Sequence, residues 1–219
     1  YSKYMSSVDV WGFRSVAFKD QFEAIYGKQN NEFLCYSGIP EKYIRPVKRN
    51  FDTGIKNFSF LGSLYKLKRV EDIVNALNIS FGNEDFYFDI VGSGAEETAL
   101  KKLVSDLKLN NKITFHGQQK RDTAQEIIAK SDCFVMVSAH EAFGLVYVEA
   151  MAKGCITIAT KGQGIDGVII DGVNGFLCES CNPEALAKVI DRIRSLSTEE
   201  LNSISQKAIE TASELTDRK

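Results

Sequence analysis

The chain has 219 residues, 44% of them hydrophobic, enough apolar material for one sizeable core and a remnant of a second. Its 27 basic residues nearly balance 29 acidic ones, so no excess of one sign points to nucleic acid as a partner. No apolar run approaches the ~20 residues that span a bilayer and residues 1–5 lack a signal-peptide layout, so the expectation is a soluble, cytoplasmic chain.

Residues 1 to about 46 begin without an initiator Met and inside a strand-like or amphipathic pattern, with a second apolar strand candidate at Phe33-Leu34-Cys35 leading to Ser37-Gly38-Ile39-Pro40. From Asn57 onward, strand candidates at 58–61, 87–91, 113–115, 133–137, 156–159 and 175–178 alternate with helical patterns at 70–79, 96–107, 122–130, 145–153 and 183–196. The last of these shows the three-to-four spacing in Leu186, Val189, Ile190 and Ile193. Strand and helix in alternation predict an α/β fold: a doubly wound, Rossmann-like parallel sheet with helices on both faces. Ligands of such sheets bind beyond the carboxyl ends of the strands, so each loop after a strand is a place for chemistry.

After the first strand come Gly62 and Ser63, then Lys66, Lys68 and Arg69. Three cations at a helix start oppose its dipole and invite an anion. After the second strand, Gly92-Ser93-Gly94 is compatible with a tight turn or with direct ligand contact; a dinucleotide fingerprint would need a third glycine at position 97, which is Glu97, so NAD is disfavoured. Gly117 and Gln118 follow the third strand. After the fourth, Glu141 and Glu149 flank Phe143-Gly144-Leu145, where a strand becomes a helix that ends at Gly154. A glycine there lets a phosphate approach without a Cβ in the way. Glu149 leans back toward such an anion, where a carboxylate can accept from two vicinal ribose hydroxyls. After the fifth strand, Asp166 is either a sugar-positioning or a turn-capping carboxylate, and the segment from Asp171 to Gly175 reads as a turn.

Five cysteines, 35, 133, 155, 178 and 181, are an odd number in a domain that needs no staples, so reduced thiols are expected. Cys178 and Cys181 have metal-ligand spacing, but no second pair follows and His116 and His140 stand alone, so no metal site is expected.

The Glu141-x7-Glu149 pattern, with Phe143-Gly144-Leu145, the Glu149-Ala150-Met151-Ala152 helix and the turn at Asp171-Gly172-Val173-Asn174-Gly175, resembles the donor-binding half of the retaining GT-B glycosyltransferases of family 4 (glycosyl transferases group 1). The resemblance covers about residues 58–196. It implies that Glu149 holds the ribose of a nucleotide sugar, that Glu141 faces the donor sugar, and that backbone amides of Phe143, Gly144 and Leu145 meet the diphosphate or sugar. Gly62 opens the family's Gly-Arg-Leu pattern, but Ser63 stands where the Arg belongs. Lys68 matches the diphosphate-binding Lys, and Glu141 and Lys68 are the implied catalytic pair. Lys66 or Arg69 replaces the missing charge, or Ser63 hydrogen-bonds a phosphate oxygen. Gly92 and Gly94 fall on the family's Gly-x-Gly turn, Gly117 and Gln118 on the loop near the donor base.

The implied architecture is one GT-B half: residues 1–46 a remnant of the N-terminal domain and interdomain linker, residues 47–219 the donor-binding domain with C-terminal helices, and the N-terminal acceptor domain missing. The implied donor is a UDP- or GDP-sugar, with no cofactor. Metal independence is expected because no Asp-x-Asp triplet occurs. The implied activity is retaining, hexosyltransferase-like transfer in polysaccharide or lipid glycosylation, with peripheral association of the full-length enzyme at the inner membrane face left open. Two alternatives stand beside it: a GT-B nucleotide-sugar epimerase and a non-catalytic nucleotide-binding module.

Overall fold

Short runs rich in Phe, Ile and Val pair in parallel to build a six-stranded sheet in the computed structural model, which describes Met5 and residues 7–217. Of the start at residues 1–5, all but Met5 lies outside the described residues. The strands are β3 (Asn57–Leu61), β4 (Tyr87–Val91), β5 (Ile113–Gly117), β6 (Cys133–Val135), β7 (Ile156–Thr160) and β8 (Phe176–Cys178). They lie in the order β5-β4-β3-β6-β7-β8. All five pairings are parallel, with Phe58 opposite both Phe88 and Cys133. The doubly wound sheet expected from the alternation is therefore present.

Helices α2 (Val70–Phe81), α3 (Glu97–Asp106), α4 (Arg121–Lys130), α5 (Leu145–Met151) and α6 (Pro183–Arg194) fill the connections. Their ends follow local chemistry. Asn182 accepts from Ala185 N at 2.9 Å with Pro183 at the first helical position of α6. The core is apolar and close-packed, with Phe58, Phe60, Phe88, Phe134 and Phe176 fully buried.

A long helix beyond residue 196, α7 (Thr198–Glu214), starts on a capping box between Ser197 and Glu200. It buries Leu201, Ile204, Ala208 and Ala212. It leads to residues that return to the first part of the chain, where Ile39 N donates to Leu215 O at 2.9 Å and Asp217 N to Ile39 O at 3.1 Å.

Within the first 46 residues, β1 (Trp11–Phe13), α1 (Val16–Tyr26) and β2 (Glu32–Leu34) form a separate two-stranded parallel unit. Ser15 caps α1 by accepting from Phe18 N at 3.1 Å. This unit leans on loops of the larger sheet. The Phe18 ring lies 5.8 Å from His140, Tyr36 lies 5.9 Å from Phe143, and Gln21 Nε2 donates to Gly162 O at 2.8 Å.

Candidate functional site

Strand order fixes where a ligand can sit. Successive connections run outward from β3 to β4 and β5, and then the chain crosses back to place β6 on the other side of β3. The loops after β3 and β6 thus leave the sheet side by side at the switch point of the strand order, the position where ligands of such sheets bind. A one-turn 3-10 helix (Lys66–Lys68) and the segment from Ser138 to Gly144 flank it. Ala139 N donates to Leu67 O at 2.8 Å across it. At this point Lys68 Nζ meets Glu141 Oε2 at 2.6 Å, with both side chains mostly buried.

The backbone around Glu141 is held by its neighbours. Glu141 N donates to Gln163 Oε1 at 3.0 Å, and Gly164 N donates to Glu141 O at 2.9 Å. Asp166 accepts from Gly162 N at 2.6 Å, closing the turn that carries Gln163. Of its two expected roles, the turn cap is the contact present. Gly144 caps α5 at φ 78, and a Cβ there would stand 2.6 Å from the Tyr147 ring. Tyr147 is fully buried and donates to Met136 O at 2.6 Å. Burial first, and the Glu141 carboxylate second, hold its phenol well above the usual value, so it remains a donor. Phe143 is buried, whereas Leu145 is exposed.

Gly62, Ser63, Tyr65, Gly92, Ser93 and Gln118 line an open cleft of about 410 Å³ over the ends of β3, β4 and β5. Ser63 is exposed. Arg69, one of the two cations expected to replace the charge missing at Ser63, is paired within its own turn. It is left-handed at φ 53 and gives its guanidinium to Asp72 in two 2.8 Å bonds and to Glu71 at 2.8 Å. Gly92 and Gly94 have a structural reason to be glycine: a Cβ on Gly92 would lie 1.8 Å from Gly62 O, and one on Gly94 2.4 Å from Leu64 O. Gly117 needs no such approach, but its φ is 62.

Glu149, expected to lean back toward an anion and accept from a ribose, has its carboxylate already covered. It is 5% exposed, because α5 packs its first two turns against α4 and the sheet. Arg121 Nη2 donates to its Oε1, and Gln125 Nε2 to its Oε2 at 2.6 Å. Arg121 in turn lies over the Tyr43 ring at 4.5 Å. Glu149 and Glu141 are presented by one connection, but the first is satisfied on the α4 side and the second on the β3 side.

Against this geometry, known proteins give a consistent family. The sequence model for "Glycosyl transferases group 1" matches residues 44–211. The chain belongs to the glycosyl transferases group 1 family. A relative, N-acetyl-alpha-D-glucosaminyl L-malate synthase of Bacillus anthracis, is 36% identical over 142 residues, covering 65% of this chain and 36% of the relative. This chain superposes on Anabaena HepE in complex with UDP and glucose with a TM-score of 0.78 at 23% identity, over 96% of this chain and 60% of HepE. The C-terminal domain of a glycosyl transferase group 1 family protein from Francisella tularensis gives 0.69 at 23% identity, over 81% of this chain and 97% of that domain. These likenesses share the Rossmann-like GT-B fold. The chain spans about a third to a half of the length of the first curated relatives it matches.

In this group 1 chain, sequence reasoning singled out the two glutamates and Lys68 but missed Arg121, Gln125 and Gln163, the residues that hold those glutamates. Arg121 carried a signal. A cation at the first position of α4 opposes the helix dipole, and Gln125 follows four residues later on the same face. Gln163 carried none, since its partner is the Glu141 backbone. Among the described residues no three His, Cys, Asp or Glu side chains converge as a metal site. No helix there is long and apolar enough to cross a membrane.

Proposed function

We propose that this chain is the donor-binding part of a retaining, metal-independent glycosyltransferase that takes a UDP- or GDP-sugar. The observation that carries the reading is the 2.6 Å pair between Lys68 and Glu141 at the switch point between β3 and β6. Breaking the anomeric C–O bond leaves both bonding electrons on the departing diphosphate and positive charge on the sugar ring. Lys68 supplies a cation for the first charge, and Glu141 a carboxylate to orient sugar hydroxyls or face the second. Glu149 accepts from the ribose, the amides of Phe143, Gly144 and Leu145 meet the diphosphate or sugar, and the open cleft by Ser63 and Gln118 takes the rest of the nucleotide. Two side chains already paired in the unliganded protein are pre-organised, with Glu141 holding Lys68 in place until a diphosphate competes for it.

On this reading residues 1–46 are the end of an acceptor domain and the linker, and residues 47–219 the donor domain. The acceptor and any further residues of the reaction belong to the rest of the protein. Polysaccharide or lipid glycosylation is the class of reaction that fits, with peripheral contact to a membrane surface made outside this chain. Calorimetric titration of the chain with UDP, GDP, ADP and their sugars, in buffer containing a chelator, tests the site and the base together. Micromolar to millimolar binding of one nucleoside diphosphate is expected, and binding that disappears with the chelator would overturn the metal-independent reading.

A further inference from the structure

The Gln125 amide is caught in an orientation that leaves a demand unmet. Its Nε2 donates to Glu149 Oε2 at 2.6 Å, and turning the amide over would set its oxygen against a carboxylate oxygen. The orientation is therefore fixed by Glu149. Its Oε1 is consequently buried with no hydrogen-bond partner among the described residues, on a residue only 6% exposed. A buried acceptor without a donor is costly, and a ligand that brings a donor relieves that cost. Other atoms of Gln125 form part of the wall of a cavity of about 400 Å³ shared with Tyr43 and Lys153. Arg121, the other donor to Glu149, has a half-exposed side chain.

We propose that Gln125 is a second ribose-reading residue, its Oε1 accepting from one of the two vicinal hydroxyls while Glu149 accepts from the other, with Arg121 displaced into solvent when the nucleotide enters. The inference rests on the nucleotide-sugar reading of the site. It adds a recognition residue that lies outside the Glu141-to-Glu149 motif. A neutral amide oxygen and a carboxylate side by side suit two hydroxyls of different acidity and position, and neither suits a phosphate. The alternative occupant of Oε1 is a trapped water, which carries no preference among ligands.

Calorimetry with UDP, 2′-deoxy-UDP and 3′-deoxy-UDP, and the guanine series in parallel, separates the possibilities. The unaltered chain should prefer the ribonucleotide over both deoxy analogues. Gln125→Leu and Gln125→Met should each lose about threefold to tenfold of the preference against one analogue and keep the other. An equal loss against both would mean that Gln125 acts only by orienting Glu149 through Nε2, and no loss would mean that Oε1 meets water alone; either overturns the proposal and leaves the nucleotide reading standing. A wild-type chain that binds no nucleoside diphosphate would remove both. Should both variants fail to fold, the side-chain amide NMR signals of Gln125 in the unaltered chain decide it: they should move with UDP and with only one of the two deoxy analogues, and equal movement with all three would overturn the proposal.

Discussion

Lys68 and Glu141 stand 73 positions apart in the sequence and 2.6 Å apart in space, Nζ to Oε2, because the crossover between β5 and β6 brings the second loop back beside the first. Each neutralises the other in the free protein. Lys68→Ala should weaken a nucleoside diphosphate by about 1–3 kcal/mol, the value of a charge-assisted hydrogen bond, and leave the nucleoside almost untouched. Glu141→Gln should do the reverse to the diphosphate. With its competitor gone, Lys68 is released to the ligand, and binding should tighten by about 0.2–1 kcal/mol while transfer by the full-length enzyme falls. Calorimetry on both variants checks this, and weaker diphosphate binding by Glu141→Gln would show that the pair does not compete with ligand.

Glu149→Gln keeps the size and one acceptor oxygen but removes the charge and the second acceptor. Ribose discrimination should shrink by about 1 kcal/mol or more, read as the affinity of UDP or GDP against its 2′-deoxy analogue. Because the carboxylate is buried and accepts from Arg121 and Gln125, folding should suffer as well, by about 1–3 kcal/mol. For a chain of this size that is a fall of several degrees in Tm, by roughly 2–4 °C per kcal/mol. An unchanged Tm with an altered ribose preference would place Glu149 in the open, contrary to its surroundings here.

The parts of this fold that follow from local period and punctuation were legible in the chain. The runs around Phe58, Phe88, Phe134 and Ile158 are short, apolar and spaced by helical patterns, and they became the sheet. The turn residues Asp171 and Asn174 also read correctly, accepting from Leu177 N at 2.9 Å and Ile170 N at 2.7 Å. What stayed hidden is set by tertiary geometry. The end of β6 at Val135 depends on Met136 turning its carbonyl to the Tyr147 hydroxyl. The burial of Glu149 depends on α4 lying beside α5. Helix α7 fits the C-terminal helices that the resemblance implies, with Leu201, Ile204, Ala208 and Ala212 as its buried stripe. Arg49 shows the same limit: its guanidinium donates to Lys153 O at 2.9 Å and Ala129 O at 3.0 Å, two carbonyls from different connections.

The glycines at the strand ends separate backbone crossing from ligand contact. Gly92→Ala places a Cβ 1.8 Å from Gly62 O at a backbone φ of 134, so the β3 and β4 loops must part. A loss of about 3 kcal/mol or more, or an insoluble chain, is expected. Gly117→Ala meets open space, and only its φ of 62 costs, about 1 kcal/mol. Urea midpoints of the two variants compare the effects directly, and a Gly92→Ala chain as stable as Gly117→Ala would disprove the close crossing.

All five cysteines are unpaired, and three of them make stability depend on alkaline pH. Burial pushes the Cys155 thiol from 9.0 up to about 11 and Cys178 from 9.0 up to about 12, and raises Cys133 well above 9.0. Above pH 9 the unfolded chain releases these protons while the folded chain keeps them, so the folded state binds more protons and its stability falls as pH rises. That contribution is fully present below pH 9.0 and is lost progressively as pH climbs through about 11 and 12. Lys153 acts in the opposite sense. Burial first and Arg45 second lower its value from 10.5, so its neutral form suits the fold and it regains stability as pH rises toward 10.5. Three thiols outweigh one amine, and the net expectation is a stability that is level to about pH 9 and then declines. Urea midpoints between pH 8 and 11 on the reduced protein, compared with Cys155→Ala, measure it. The variant should show a shallower decline above pH 9, and identical slopes would mean that the Cys155 thiol does not remain protonated in the folded chain.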